Sequence, residues 1–258
     1  YRSCIKKRCV KGSLFASVVR VFSMKFHKMI NVYKNVYAFI TPSEFLKKKL
    51  ALNGFDEKRI HCIPTFTASK TTIGEPQIGS YGLYFGRVTE EKGVETVIKA
   101  YEKLPEYTVK IMGDDTTDEA KRLKKYVKDH KMKNVEFLGF KSGEELEDII
   151  KGARFTLIPS IWYDNLPNTA LESFQYSKPV IASNIGSLPE LVSDGENGYL
   201  FEPSNVEDLI KKIKMLDDDI LVKKMGQASR KRLENRFAPQ SHYEALMKIF
   251  NEAVKNRK

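Results

Sequence analysis

Two carboxylates and two basic side chains carry the chemistry legible in this chain. Asp164 and Glu172 stand in the stretch PSIWYDNLPNTALE, residues 159–172, eight positions apart. The apolar run FTLI at 155–158 reads as a buried strand. Pro167 suits the first helical position, where a missing N–H costs nothing. Asp164 then lies in the loop before a helix and Glu172 about a turn and a half down it. Between them come the free N–H groups of a helix N-terminus, which attract anions. Donors for phosphate beside carboxylates for hydroxyls suit a sugar nucleotide.

The basic pair is upstream, in GRVTEEKG at residues 86–93, directly after an apolar strand pattern. Ligands of open α/β sheets gather at the carboxyl ends of strands. Arg87 offers a planar fork of donors and Lys92 a mobile point charge, a combination suited to a diphosphate. A basic residue after Gly86 is by itself no more than a solvated charge. The acidic stretch in the same half of the chain makes a ligand site the better reading.

These residues resemble a known family. The spacing of Asp164 and Glu172 is similar to the E-x7-E signature of the retaining, family-four glycosyltransferases of GT-B fold, with Asp164 in place of the first Glu. The neighbours match too: Pro159-Ser160 then Trp162 before the first acid, Asn165-Leu166-Pro167 after it, and KPVIA at 178–182. The resemblance runs from about residue 36 to the end of the chain. It implies that Arg87 and Lys92 bind the donor diphosphate and that Glu172 accepts both ribose hydroxyls. It further implies that Asp164 faces the transferred sugar, while the N–H groups of Asn165 and Leu166, with Thr169, approach sugar and phosphate. The turn GSLPE at 186–190 matches a Gly-rich family turn near the donor, with Ser187 replacing the second glycine.

Other uses of these groups fit less well. Glycoside hydrolysis needs two carboxylates about 5–5.5 or 6.5–9.5 Å apart across one bond. An acid before a helix and another down it, with a basic pair upstream, suit a longer diphosphate ligand. A sugar-nucleotide epimerase is an alternative, as is a non-catalytic nucleotide-sugar binding module. An epimerase would need an acid–base set near the sugar, and the half-chain is poor in histidine. Adjacent acids at Asp114-Asp115 and at 217–219 read as caps or breaks, and the four scattered histidines suggest no zinc site. No metal or cofactor is expected beyond the UDP- or GDP-linked donor.

The elements that must position these residues are those of a doubly wound α/β sheet. Strands are expected at 81–85, 107–112, 135–138, 155–158 and 179–182, alternating with amphipathic helices. Ser142 with Glu145, and Ser204 with Glu207, read as capping boxes. Before them, residues 13–34 read as an amphipathic helix, 36–41 and 59–63 as short strands, and Ser43 as the cap of a helix that Gly54 ends. Residues 66–80, rich in Thr, Ser, Gly and Pro, read as an interdomain linker. The resulting division is 1–64, the end of an acceptor domain, and 65–258, a donor-binding domain whose last helix, about 240–257, returns to the first. The chain is accordingly expected to be truncated, with the acceptor groove outside it.

Composition bounds the setting. The 258 residues carry a net charge of +11, and residues 2–34 hold nine Lys and Arg with no Asp or Glu. Such a cluster suits an anionic membrane surface, an anionic acceptor or solvent; nucleic acid would want interleaved aromatics in a known motif. The apolar side of helix 13–34 is either the core of a missing domain or a membrane-surface stripe. No apolar run is long enough to span a bilayer and no signal peptide is evident. Cys4, Cys9 and Cys62 are too few for a disulfide scaffold. A cytoplasmic protein is expected, peripheral at the inner face of the membrane, acting on a saccharide or lipid-linked acceptor in surface polysaccharide biosynthesis.

Overall fold

The computed structural model describes residues 2–67 and 77–256, so residues 68–76 of the linker expected at 66–80 lie outside the described residues. Helices α1 (Arg2–Lys6), α2 (Leu14–Met29) and α3 (Glu44–Leu52) accompany the parallel strands β1 (Phe39–Thr41) and β2 (Ile60–Cys62). Then strand and helix alternate: β3 (Tyr81–Phe85), α4 (Val94–Glu102), β4 (Thr108–Met112), α5 (Asp118–Asp129), β5 (Val135–Gly139), α6 (Gly143–Lys151), β6 (Ala153–Ile158) and α7 (Asn168–Gln175). β7 (Val180–Ser183), α8 (Leu188–Leu191), β8 (Gly198–Phe201), α9 (Val206–Lys214), α10 (Asp219–Arg236) and α11 (Pro239–Lys255) follow.

The six strands β3 to β8 form one parallel sheet in the order β5-β4-β3-β6-β7-β8. Sequence order reverses between β3 and β6, and that reversal defines the crevice in which doubly wound sheets bind ligands. Both faces of the sheet are covered, which explains why its strands are apolar almost without alternation. Tyr84 on one face meets α4 through Val97 and Tyr101, while Leu83 and Phe85 on the other meet Ile150 of α6. A further cluster packs α7, α8 and the end of α10 around β6 and β7, with Phe174, Leu191 and Phe237 fully buried.

Several expectations need correction. The fold has a sixth strand in this sheet, β8, at an edge. Ser142 precedes α6 but makes no capping hydrogen bond, and Ser204 sits at φ 64 while Asn205 caps α9 through the Asp208 N–H. Pro167 is the residue before α7 rather than its first residue. The helix expected at 13–34 ends at Met29, and of its residues only Ser17 and Val21 are buried. Phe15, Phe22 and Met29 stand 79%, 72% and 74% exposed. No helix of the described residues is long and apolar enough to cross a membrane. The three cysteines are free thiols.

Elements before and after residues 68–76 touch at several points. The Glu190 carboxylate accepts the first two N–H groups of α3, from Glu44 at 2.9 Å and Phe45 at 2.6 Å. Helix α11 meets the earlier segment where His242 Nδ1 lies 2.7 Å from the Pro64 carbonyl and its ring packs on Phe66.

Candidate donor-binding site at the sheet crossover

The loops leaving β3 and β6 carry the charged residues, and the topology sets these loops side by side. The loop after β3 is fixed through its backbone. Gly86 N–H donates to the Met112 carbonyl at 2.9 Å, Tyr84 hydroxyl to the Arg87 carbonyl at 2.6 Å, and Thr117 hydroxyl to the Val88 carbonyl at 2.6 Å. Burial, then the negative charges of Asp164 and Glu91, raise the Tyr84 phenol well above its ordinary pKa, so it stays a donor. Arg87 itself is exposed, with no carboxylate partner among the described residues.

The two loops are stitched together. Ile161 N–H donates to the Glu91 carbonyl at 3.0 Å. Gly93, at φ +67, approaches so closely that a Cβ there would stand 2.0 Å from the Pro159 carbonyl oxygen. That contact seats Lys92, and its Nζ lies 2.5 Å from Asp164 Oδ1 with both side chains mostly out of solvent. The Ser160 hydroxyl donates to the other Asp164 oxygen. Asp164 is thus held from two sides, and Lys92 is neutralised rather than bare.

The turn at 164–167 is held from below by a residue given little weight in the sequence. Ser187 is fully buried; its hydroxyl donates to the Asp164 carbonyl and accepts from Leu166 N–H, both at 2.7 Å. Its own N–H reaches the same carbonyl at 3.3 Å. This corrects one expectation: the Leu166 N–H is occupied by Ser187 and is not a free donor. Leu166 is buried at φ 59, a left-handed conformation that costs a leucine about 1–3 kcal/mol and that these bonds maintain. Asn165 is exposed, and its side-chain oxygen accepts the Ser43 hydroxyl at 2.8 Å. Ser43 also caps α3 as expected, accepting from Leu46 N–H.

The Asn165 N–H meets no acceptor among the described residues, and further donors stand at the start of α7. The N–H groups of Asn168 and Thr169 precede the first intrahelical bond, so they are free to meet an anion. Thr169 is half-buried, and its carbonyl accepts the Ser173 hydroxyl at 2.6 Å. Further along, Glu172 is half-buried among Leu171, Ser173 and Tyr176, and burial raises its carboxyl above the usual carboxylate range. No hydrogen bond or ion pair meets this carboxylate among the described residues. A desolvated acid with no protein partner is set up to accept hydroxyl donors. No cluster of three or more His, Cys, Asp or Glu able to hold a metal occurs among the described residues.

A family model described as glycosyl transferases group 1 matches residues 70–232. The chain belongs to that family. Among its curated relatives is an uncharacterized glycosyltransferase of Methanocaldococcus jannaschii, 30% identical over 174 residues that are 67% of this chain and 48% of the relative. Another is the glycogen synthase of Mycobacterium tuberculosis, 28% identical over 212 residues, 80% of this chain and 49% of that protein. This group 1 glycosyltransferase chain spans about half the length of the curated relatives it matches. Among solved structures, a glycosyltransferase from Rickettsia africae superposes with a TM-score of 0.79 at 22% identity, covering 88% of this chain and 67% of that one. Anabaena HepE in complex with UDP and glucose gives 0.74 at 19% identity, with 83% and 63% covered. Both likenesses show the fold: this chain has the α/β, GT-B architecture.

Proposed function

We propose that this chain forms the donor-binding part of a retaining glycosyltransferase. It would move a sugar from a UDP- or GDP-linked donor to a saccharide or lipid-linked acceptor in surface polysaccharide assembly. The observation that carries the reading is Glu172: an unpartnered, half-buried carboxylate on the helix whose N-terminus follows the crossover loop. A ribose supplies the two hydroxyl donors it lacks. Residues 65–258 are the donor half in this reading and residues 1–64 the end of the acceptor half. The basic, apolar α2 region is its contact with a membrane inner face. A relative named for capsular polysaccharide biosynthesis in Staphylococcus aureus, and the UDP in Anabaena HepE, support the polysaccharide context and the nucleotide.

The chemistry asked of these residues is electrostatic. As the bond to the leaving diphosphate breaks, Arg87, Lys92 and the Asn168 and Thr169 N–H groups stabilise the charge that builds on its oxygens. These cations are part of the chain, so no metal is needed. Lys92 serves this role without leaving Asp164, because an ammonium has three donors. Asp164, oriented by Lys92 and Ser160, accepts from a hydroxyl of the transferred sugar.

Calorimetric titration with UDP, GDP and ADP side by side tests the reading. One of them should bind, and its affinity should fall in Glu172→Gln. A folded Glu172→Gln protein with unchanged affinity for that nucleotide would refute the ribose role.

A further inference from the structure

Directly before Asp164 stand two exposed aromatic residues, Trp162 at 67% and Tyr163 at 53% relative exposure. Tyr163 is taken up by α3: its ring packs on Phe45 at 5.0 Å, and Lys49 Nζ lies 5.1 Å from its centroid. Trp162 has no aromatic or cationic partner among the described residues. Its backbone, however, is held. The Trp162 carbonyl accepts Asp164 N–H at 2.9 Å, and the preceding Ile161 N–H is bonded to Glu91. The large exposed ring thus stands on a backbone-held loop, two residues before the Asp164 carboxylate.

We propose that Trp162 is the stacking platform for a pyranose ring whose hydroxyl Asp164 accepts. The apolar face of a pyranose presents C–H groups of partial positive charge, which the negative face of an indole attracts. The adjacent carboxylate takes the hydroxyl at the ring's edge, so the two residues recognise the two chemically different sides of one sugar. This rests on the nucleotide-sugar reading and adds a sugar subsite to it. The occupant is the sugar carried by the donor, whose hydroxyl Asp164 accepts in the proposed function; an acceptor sugar there is the other outcome of the test.

Trp162 is the chain's single tryptophan, so tryptophan emission reports this ring alone. The 258-residue chain is titrated with UDP, GDP and ADP, and then with UDP-glucose, GDP-mannose and ADP-glucose, with calorimetry in parallel. A second arm adds glucose, mannose and maltose to protein saturated with the nucleotide that binds. A nucleoside diphosphate should bind with little change in emission, whereas a sugar-bearing ligand should shift it to shorter wavelength as the ring leaves water. A shift in the first arm assigns the platform to the transferred sugar, and one confined to the second arm assigns it to the acceptor. Trp162→Ala should weaken the responding ligand roughly fivefold or more, with nucleoside diphosphate affinity unchanged, and Trp162→Phe should retain most of it. Calorimetric nucleotide binding with no shift in either arm overturns the platform and leaves the nucleotide site standing. If no nucleotide binds at all, both readings fall.

Discussion

Lys92 Nζ and Asp164 Oδ1 lie 2.5 Å apart across 72 residues of sequence, and this pair joins the two loops of the sheet crossover. With side-chain exposures of 20% and 16%, it is screened far less than the surface pairs around it. Lys92→Met leaves Asp164 short of its cation, and Asp164→Asn leaves Lys92 short of its anion. Each single variant should destabilise the fold by more than a surface pair does, and the double variant by less than the sum. A coupling of about 0.5–3 kcal/mol is expected from urea unfolding of the four proteins. Strict additivity would show that the pair is not energetically joined.

Glu172 should trade stability for binding. Burial favours its protonated form, so the folded chain holds a proton that the unfolded chain releases between the ordinary carboxylate value and the raised one. Its contribution to stability is therefore present at low pH and lost as pH rises through that window. Glu172→Gln should melt higher than the parent near pH 8 and about level with it near pH 4. Nucleoside diphosphate affinity should move the opposite way, falling roughly ten- to a hundredfold in the variant as a charge-assisted hydrogen bond of about 1.5–3 kcal/mol is lost.

Diphosphate binding should not require a divalent ion. Arg87 brings a positive charge with no carboxylate partner among the described residues, Lys92 keeps ammonium donors beyond its bond to Asp164, and the α7 N–H groups add to them. Titration with the bound nucleotide in excess EDTA should match titration in magnesium within error. A strict magnesium requirement would contradict this arrangement.

Lys178 gives a second pH dependence, far from the site. Lys178 is buried, and among the described residues its ammonium donates to the carbonyls of Gln77 and Lys151, at 2.7 and 2.6 Å. Burial lowers its pKa from 10.5 to about 8. Between those values the unfolded chain binds the proton that the folded chain has lost, so stability rises with pH across the window. Relative to Lys178→Met, the parent should gain about 1–3 kcal/mol from pH 8 to 10.5 in urea unfolding. A flat difference would mean that the two carbonyls hold the ammonium charged.

Much of this was legible in the residues, for identifiable reasons. Strands buried on both faces show as apolar runs, so 81–85 was placed to the residue and four others within two at each end. β8 escaped because GYLF follows the turn-forming DGEN at 194–197 and opens on a glycine. That glycine is required: a Cβ at Gly198 would stand 1.9 Å from the Val180 carbonyl oxygen. The two capping errors differ in cause: Ser204 is left-handed, so Asn205 takes the cap, whereas Ser142 has the extended backbone of a cap residue but its hydroxyl makes no capping bond. The charged residues of the site could be named from their types and spacing. Their partners could not, because the sheet order alone brings Asp164 to Lys92, and Ser187 beneath Leu166.

The capping of α3 by Glu190 also imposes an order in time. The carboxylate that satisfies Glu44 N–H lies 146 residues further along the chain. At a synthesis rate of about 5–20 residues per second, α3 leaves the ribosome roughly 7–30 s before its cap exists. During that interval only Ser43 serves its N-terminus, and a helix of nine residues is marginal on its own. The N-terminus of α3 is therefore completed only once residue 190 has been made, although the helix can already pack on β1 and β2 beside it.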